Sequence, residues 1–203
     1  MFDAPETTMA SSELPTPADT AAWHPRPIVV AHWLTFGLLV AAFAFVLGRE
    51  FVDGKALETL LLMLHRWAGL SIALLALTRL LLRTRLRLAE GTSDDPAWQR
   101  WIAAGIHALL YLFMLGLPLL GWVLSSAQGQ TVNLPWGGHL PALMEPDPDL
   151  ADTLEDWHGT LAWTLAGLIG LHAAAALYHH WVDRKSTRLN SSHIPLSRMP
   201  SSA

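Results

Sequence analysis

Histidines inside apolar sequence are the residues of this chain whose chemistry most needs an explanation. His158 and His172 belong to an almost wholly apolar stretch that runs from Trp157 to Trp181. Because each helical residue turns the chain by ~100° and advances it by ~1.5 Å, these two imidazoles share one helix face to within roughly 40° and stand about 21 Å apart. Imidazole is a common metal ligand. One helix face therefore presents two candidate metal ligands at two heights.

The elements that must position these side chains are four apolar spans. They are predicted at about residues 27–48, 57–82, 98–127 and 154–182, and each supplies the ~20 residues needed to cross ~30 Å of hydrocarbon. The chain is 52% hydrophobic and only 15% charged. Its ten Trp also suit the lipid–water boundary. The sequence therefore predicts an all-α fold, an integral-membrane four-helix bundle surrounded by a lipid bilayer.

The distribution of Lys and Arg predicts how the spans are oriented. The connection between the second and third spans is rich in arginine, whereas no Lys or Arg lies between Arg100 and Arg184. The loop within that interval is acidic. We therefore expect both termini on the cytoplasmic side of the membrane and the acidic loop on the outer side.

Depth in the membrane then sorts four histidines into two pairs. His32 starts the first span and His172 lies deep in the fourth, so both lie toward the cytoplasm. His65 and His158 come early in spans that run inward, so both lie toward the outer side. Two imidazole pairs at two heights are what two stacked haems in a helical bundle require. A hydrogen-bonded contact between helices is the alternative for any single histidine.

His179 is an alternative to His172 as the partner of His32. It lies within about 60° of the helix face that carries His158, and its depth suits His32 nearly as well. His179 and the adjacent His180 also suit plain positions at the membrane boundary.

Two arginines and one further histidine have open roles. Arg79 and Arg83 are candidates to pair with haem propionates at the cytoplasmic boundary, although a topological role is equally consistent with their positions. His107, in the third span, has no evident partner at its own depth. A hydrogen bond across helices is the favoured interpretation for His107.

Composition excludes several classes of site. The chain has no Cys, which excludes disulfides, cysteine-ligated iron–sulfur clusters and thiolate-ligated haem. No HExxH motif of a zinc protease is present. A net charge of −4 gives no indication of a nucleic-acid partner.

The two ends of the chain differ from the spans. Residues 1–25 are rich in Ala, Pro, Ser and Thr and predict a disordered cytoplasmic tail. Residues 185–203 are polar, Ser-rich and without periodicity, and they look non-native. The functional domain is therefore expected at residues 26–184.

The apolar segments together resemble the bacterial cytochrome b561 family of dihaem inner-membrane proteins. The resemblance covers about residues 24–184 and is carried by VAHWLTFGLLV, LHRWAGLSIALLALTRLLLR, HALLYLFMLGLPLLGWV, LEDWHGTLAW and GLHAAAALYHH. It implies haem b at both sites, with His32/His172 and His65/His158 as ligand pairs. It also implies electron exchange with ubiquinone and, in some members, oxidation of superoxide at the outer face.

The function expected from these observations is single-electron transfer between an outer donor or acceptor and the quinone pool, an oxidoreductase activity. A haem b membrane anchor of a hydrogenase or dehydrogenase is a rival with a peripheral redox partner. A small His-based proton or metal transporter is a rival of another class, but the spans lack Asp and Glu near their centres. A homodimer also remains open.

Overall fold

The computed structural model describes residues 26–85 and 96–190. Four long helices follow one another: α1 (Arg26–Gly48), α2 (Lys55–Arg85), α3 (Ala97–Ala127) and α4 (Pro148–Asn190), with a short 3-10 helix (Arg49–Phe51) between the first two. All four are long and apolar enough to cross a membrane. No β-strand occurs in the described ranges. The predicted all-α, four-helix membrane fold is confirmed.

The helices extend beyond the apolar spans from which they were predicted. α4 begins at Pro148 and ends at Asn190, whereas its apolar span was predicted at residues 154–182. The two differ because hydropathy indicates only the part of a helix that lies in lipid, and backbone hydrogen bonds continue the helix into water. The predicted tail at residues 1–25 lies outside the described residues, and so do residues 191–203 of the tail predicted at residues 185–203, whereas residues 185–190 continue α4. The division of the chain into three parts stays a prediction.

The helices pack in sequence order, α1 against α2, α2 against α3 and α3 against α4. A narrow core of mostly small or flexible side chains lies along these contacts: Ala42, Ala68, Ile72, Ala76, Leu110, Met114, Leu117 and Leu165. Small residues allow the helix backbones to approach each other closely. Much of the remaining helix surface is exposed and apolar, as lipid contact requires.

Local hydrogen bonds define where α2 and α4, two of the helices that carry the histidines, begin. Gly54 adopts a positive φ of 112°, and its carbonyl accepts the backbone N–H of Leu57 and Glu58, which begins α2 after a short turn. The Asp147 carboxylate accepts the backbone N–H of Leu150 at 3.1 Å and caps the start of α4, where Pro148 is the first helical residue.

The α3–α4 loop and the α1–α2 turn lie at the same end of the bundle, called here the loop end. Trp67 donates its indole N–H to the Asn133 carbonyl at 2.8 Å, and Arg66 Nη2 donates to Gln130 Oε1. Because both donors belong to α2 and both acceptors to the α3–α4 loop, the loop is held against α2. The opposite end, which carries the start of α1 and the end of α4, is called the terminal end.

Candidate functional site

Four histidines predicted from the sequence lie in two pairs. At the terminal end the ring centroids of His32 and His172 are 6.3 Å apart with an interplanar angle of 72°. At the loop end the centroids of His65 and His158 are 6.1 Å apart, also at 72°. α4 supplies one ring to each pair, so the two pairs have nearly the same geometry at the two heights.

The paired rings face each other across a gap between helices. Within the described residues no Cα atom of α4 lies within 8 Å of a Cα atom of α1 or α2. Helices in direct contact usually have axes 8–10 Å apart, so these helices are not packed on each other. Side chains alone cross the gap, among them the histidine pairs and the ring contact between Phe43 and Trp163, whose centroids are 5.7 Å apart.

The separation of the rings suits a metal centre between them. A histidine nitrogen lies about 2 Å from a metal that it binds, so rings bound on opposite sides of one ion have centroids about 6 Å apart. Neither pair is joined by a hydrogen bond in the described part of the chain. A direct contact between the two imidazoles of a pair therefore does not explain their positions.

His65 is held in a defined tautomer. Its Nδ1 lies 2.9 Å from the carbonyl oxygen of Ala42, which belongs to α1. Because a carbonyl only accepts, Nδ1 carries the hydrogen and donates, which leaves the lone pair of Nε2 free. Metal-binding histidines are commonly oriented in this way.

His158 has an unsatisfied buried nitrogen and a close glycine. Its Nδ1 is buried without a hydrogen-bond partner. A Cβ on Gly121 of α3 would lie 3.2 Å from His158 Cε1, which is tighter than an ordinary contact. Gly121 thus allows the ring to lie against α3, a role that the sequence analysis did not assign.

A cavity of about 480 Å³ surrounds the loop-end pair. His65 and His158 line it together with small residues that leave room for a flat group, including Gly69, Gly121 and Gly159. Its volume lies in the range of pockets for organic ligands. The residues present at the loop end therefore fit a macrocycle with a metal at its centre.

The terminal-end pair has a third histidine beside it. The ring centroid of His107 lies 5.1 Å from that of His172, and His107 Nδ1 donates to the Ala103 carbonyl at 2.8 Å. The interpretation that His107 lacks a partner at its own depth is therefore wrong: the rotation of α3, which the sequence does not fix, turns it toward α4. Its 5.1 Å separation is too short for His107 and His172 to bind opposite sides of one metal ion.

Arg79 lies in the half of α2 that runs toward the terminal end, fourteen residues after His65. Its Cζ is 5.8 Å from the ring centroid of Tyr111. Arg79 Nε is buried without a hydrogen-bond partner. Arg83 is half-buried one turn further along α2.

The side chains of His179 and His180 lie outside the described part of the structure. The alternative in which His179 replaces His172 therefore stays a prediction.

Near the loop-end pair the structure adds two cations that the sequence analysis did not select, Arg49 and Arg66, which both line the cavity. Their positions depend on the 3-10 helix and on the α3–α4 loop, which hydropathy does not describe.

Comparisons with known proteins identify a family. The model of the family described as prokaryotic cytochrome b561 matches residues 23–189. "Cytochrome b561 homolog 1" of Escherichia coli (strain K12) is 29% identical over 79% of this chain and 92% of that protein. "Probable superoxide oxidase CybB" of Yersinia pestis is 30% identical over 78% of this chain and 89% of that protein. "Cytochrome b561 homolog 2" of Escherichia coli (strain K12) is 26% identical over 77% and 84% of the two chains.

Proposed function

Because this chain belongs to the prokaryotic cytochrome b561 family, we propose that it is a dihaem b-type cytochrome that passes single electrons between an outer donor or acceptor and the quinone pool. Membership makes it a multi-pass membrane protein and implies a b-type haem. The number of haems, the quinone and the outer reactant belong to the proposal.

The observation that carries the proposal is the pair of matched imidazole contacts across one gap. His32 with His172 and His65 with His158 have ring separations of 6.3 and 6.1 Å. The two pairs lie at different heights along α4, which supports two b haems rather than one. We assign these four histidines as the axial ligands.

Each haem, held by two of these histidines, would supply reversible one-electron chemistry and would offer no open site for a substrate. The protein's part is to hold the ligands and exclude water. The Ala42 carbonyl fixes the His65 tautomer. Leu117, Ile72 and the other apolar side chains that line the cavity keep its walls dry, which favours electron exchange without side reactions.

Arg79 and Arg83 are assigned to the propionates of the haem at the terminal end. The buried Nε of Arg79 has no acceptor among the described residues, and Arg79 lies fourteen residues after His65 on α2, toward the terminal end. Guanidinium groups bind carboxylates through charge-assisted hydrogen bonds. Arg79 and Arg83 would therefore hold the propionates of that haem.

The loop end is assigned to the outer side of the bacterial inner membrane and both termini to the cytoplasm. The α3–α4 loop contains no Lys or Arg, whereas arginines concentrate at the opposite end of α2. The relative named as a superoxide oxidase makes superoxide the first candidate donor at the outer face, with ubiquinone as acceptor.

A transporter that moves bare metal ions is less well supported. Among the described residues no group of three or more His, Asp or Glu side chains could hold a metal ion. Two imidazoles alone make a poor site for a bare ion, but they complete a porphyrin iron, which already has four nitrogen ligands.

The first experiment counts haems. We expect purified protein to show two low-spin b haems per chain in reduced-minus-oxidised spectra. His158→Ala should remove one haem and His172→Ala the other, whereas His139→Ala, on the α3–α4 loop, should keep both. Loss of neither haem in the first two variants would refute the ligand assignment.

The second experiment tests the reaction. Superoxide generated enzymatically should drive ubiquinone reduction by the wild type, and His158→Ala should lose that activity. Co-purification of a hydrogenase or dehydrogenase subunit, with no response to superoxide, would favour the membrane-anchor alternative instead.

A further inference from the structure

Arg49 is a half-buried cation that has one buried donor without an assigned partner. It lies in the 3-10 helix at the loop end, and its Nε is buried with no hydrogen-bond acceptor among the described residues. A buried donor is costly unless an acceptor satisfies it. The protein's own described side chains therefore leave one strong donor of Arg49 unsatisfied.

A second guanidinium lies close to the first. Arg66 lines the same two cavities as Arg49, and its Nη2 donates to Gln130 Oε1 of the α3–α4 loop. Two like charges repel each other in a partly buried site. The hydrogen bond to the loop holds Arg66 in this position, where an anion between the two guanidinium groups would offset that repulsion.

Arg49 and Arg66 lie where two cavities meet. Both line the cavity around His65 and His158, and both line a second cavity of about 610 Å³ that also includes Lys55. The first cavity is the one that would hold a haem, and the second lies beside it, among the α2 and α3–α4 loop residues of the loop end. An anion bound by the two arginines would therefore sit at the junction of the two.

The nearby acidic residues do not neutralise the two arginines. Glu155 lines the first cavity, but its Oε2 accepts from Gln128 Nε2 at 3.2 Å. Glu58 lines the second cavity. In the described ranges neither carboxylate forms an ion pair with Arg49 or Arg66.

We infer that Arg49 and Arg66 form an anion-binding subsite at the loop-end mouth of the His65–His158 cavity. The chemistry is carboxylate-like, because the guanidinium fork matches a planar oxyanion. The anion has two sources: a propionate of the haem held in that cavity, or a small free anion from the aqueous side. The inference rests on the proposed function only for the first source.

The test compares Arg49→Gln and Arg66→Gln with Lys55→Gln, a control that lines the second cavity alone. Two quantities are measured: the midpoint potential and retention of the haem that is absent from His158→Ala, and the unfolding temperature with added sodium sulfate. A propionate source predicts that both arginine variants lower the potential of that haem and weaken its retention about tenfold, the effect of one lost charge-assisted hydrogen bond. The other haem and the Lys55→Gln variant should not change.

A free-anion source predicts a different pattern. Sulfate should raise the unfolding temperature of the wild type but not of either arginine variant, and the haem potential should stay constant.

The inference is overturned if neither arginine variant changes the potential, the retention or the sulfate response. It is also overturned if the effect of Arg49→Gln disappears in a Glu58→Gln background, since that shows an internal ion pair. Wild-type protein without haem would instead contradict the proposed function, while the sulfate measurement would still test the subsite.

Discussion

At the scale of single residues, the paired histidine rings differ in their hydrogen bonds, although the separations within the two pairs are nearly equal. His65 has an acceptor for Nδ1 in the Ala42 carbonyl, whereas the Nδ1 of His158 is buried without one. A hydrogen bond to the distal nitrogen makes an imidazole a more basic ligand. The two histidines of the loop-end pair would therefore be unequal as ligands, and His158 depends more on steric contacts for its orientation.

Gly121→Ala tests that steric dependence. The added Cβ would lie 3.2 Å from His158 Cε1, so the ring must shift, and overpacking of this kind costs about 1 kcal/mol or more. We expect several-fold weaker retention of the loop-end haem and an altered low-spin spectrum. Gly116→Ala is the matched control, because a Cβ on Gly116 of the same helix meets nothing within 4 Å. Equal effects of the two substitutions would contradict the proposed contact.

At the scale of helices, the sequence predicted the heights of side chains better than their directions. The rise per residue of a helix is fixed, so depth paired His65 with His158 and His32 with His172, although it left His179 as an alternative to His172. The role of these histidines as ligands stays a prediction. The rotation of each helix depends on tertiary packing. For that reason the position of His107 against His172 and the close approach of Gly121 were not foreseen.

The start of α4 offers a prediction at this scale. Asp147 caps the helix that supplies a histidine to each pair. Asp147→Ala should lower the free energy of unfolding by about 1 kcal/mol, because it removes the acceptor for one N–H of the first turn. Asp147→Asn should retain most of the stability, and Asp152→Ala, which removes an exposed carboxylate further along α4, should have little effect. Thermal unfolding of the four proteins in one detergent measures the difference, and an unchanged Asp147→Ala protein would exclude the capping role.

At the scale of the whole molecule, the bundle is continuous on one side and open on the other. α1, α2, α3 and α4 pack in order, but α4 does not pack on α1 or α2 within the described ranges. Hydropathy predicts the number of helices but carries no information about such a gap. We propose that haem fills this gap.

Removal of haem tests this view of the bundle. A ligand that binds only the folded state at about 1,000 times its dissociation constant adds about 4 kcal/mol of stability. We therefore expect haem-free protein to unfold at a clearly lower temperature and to regain the original value when hemin is added back. Equal unfolding temperatures with and without haem would show that the open side is stable by itself.

One consequence of the shared helix concerns distance. His158 and His172 are spaced by the fixed rise of a single α-helix, so a rearrangement of neighbouring helices would leave the distance between these two residues unchanged. Electron tunnelling depends steeply on distance. If the two proposed haems are bound as we assign them, the length of the step between them would be set by the number of residues between two positions of α4, while packing elsewhere is free to vary.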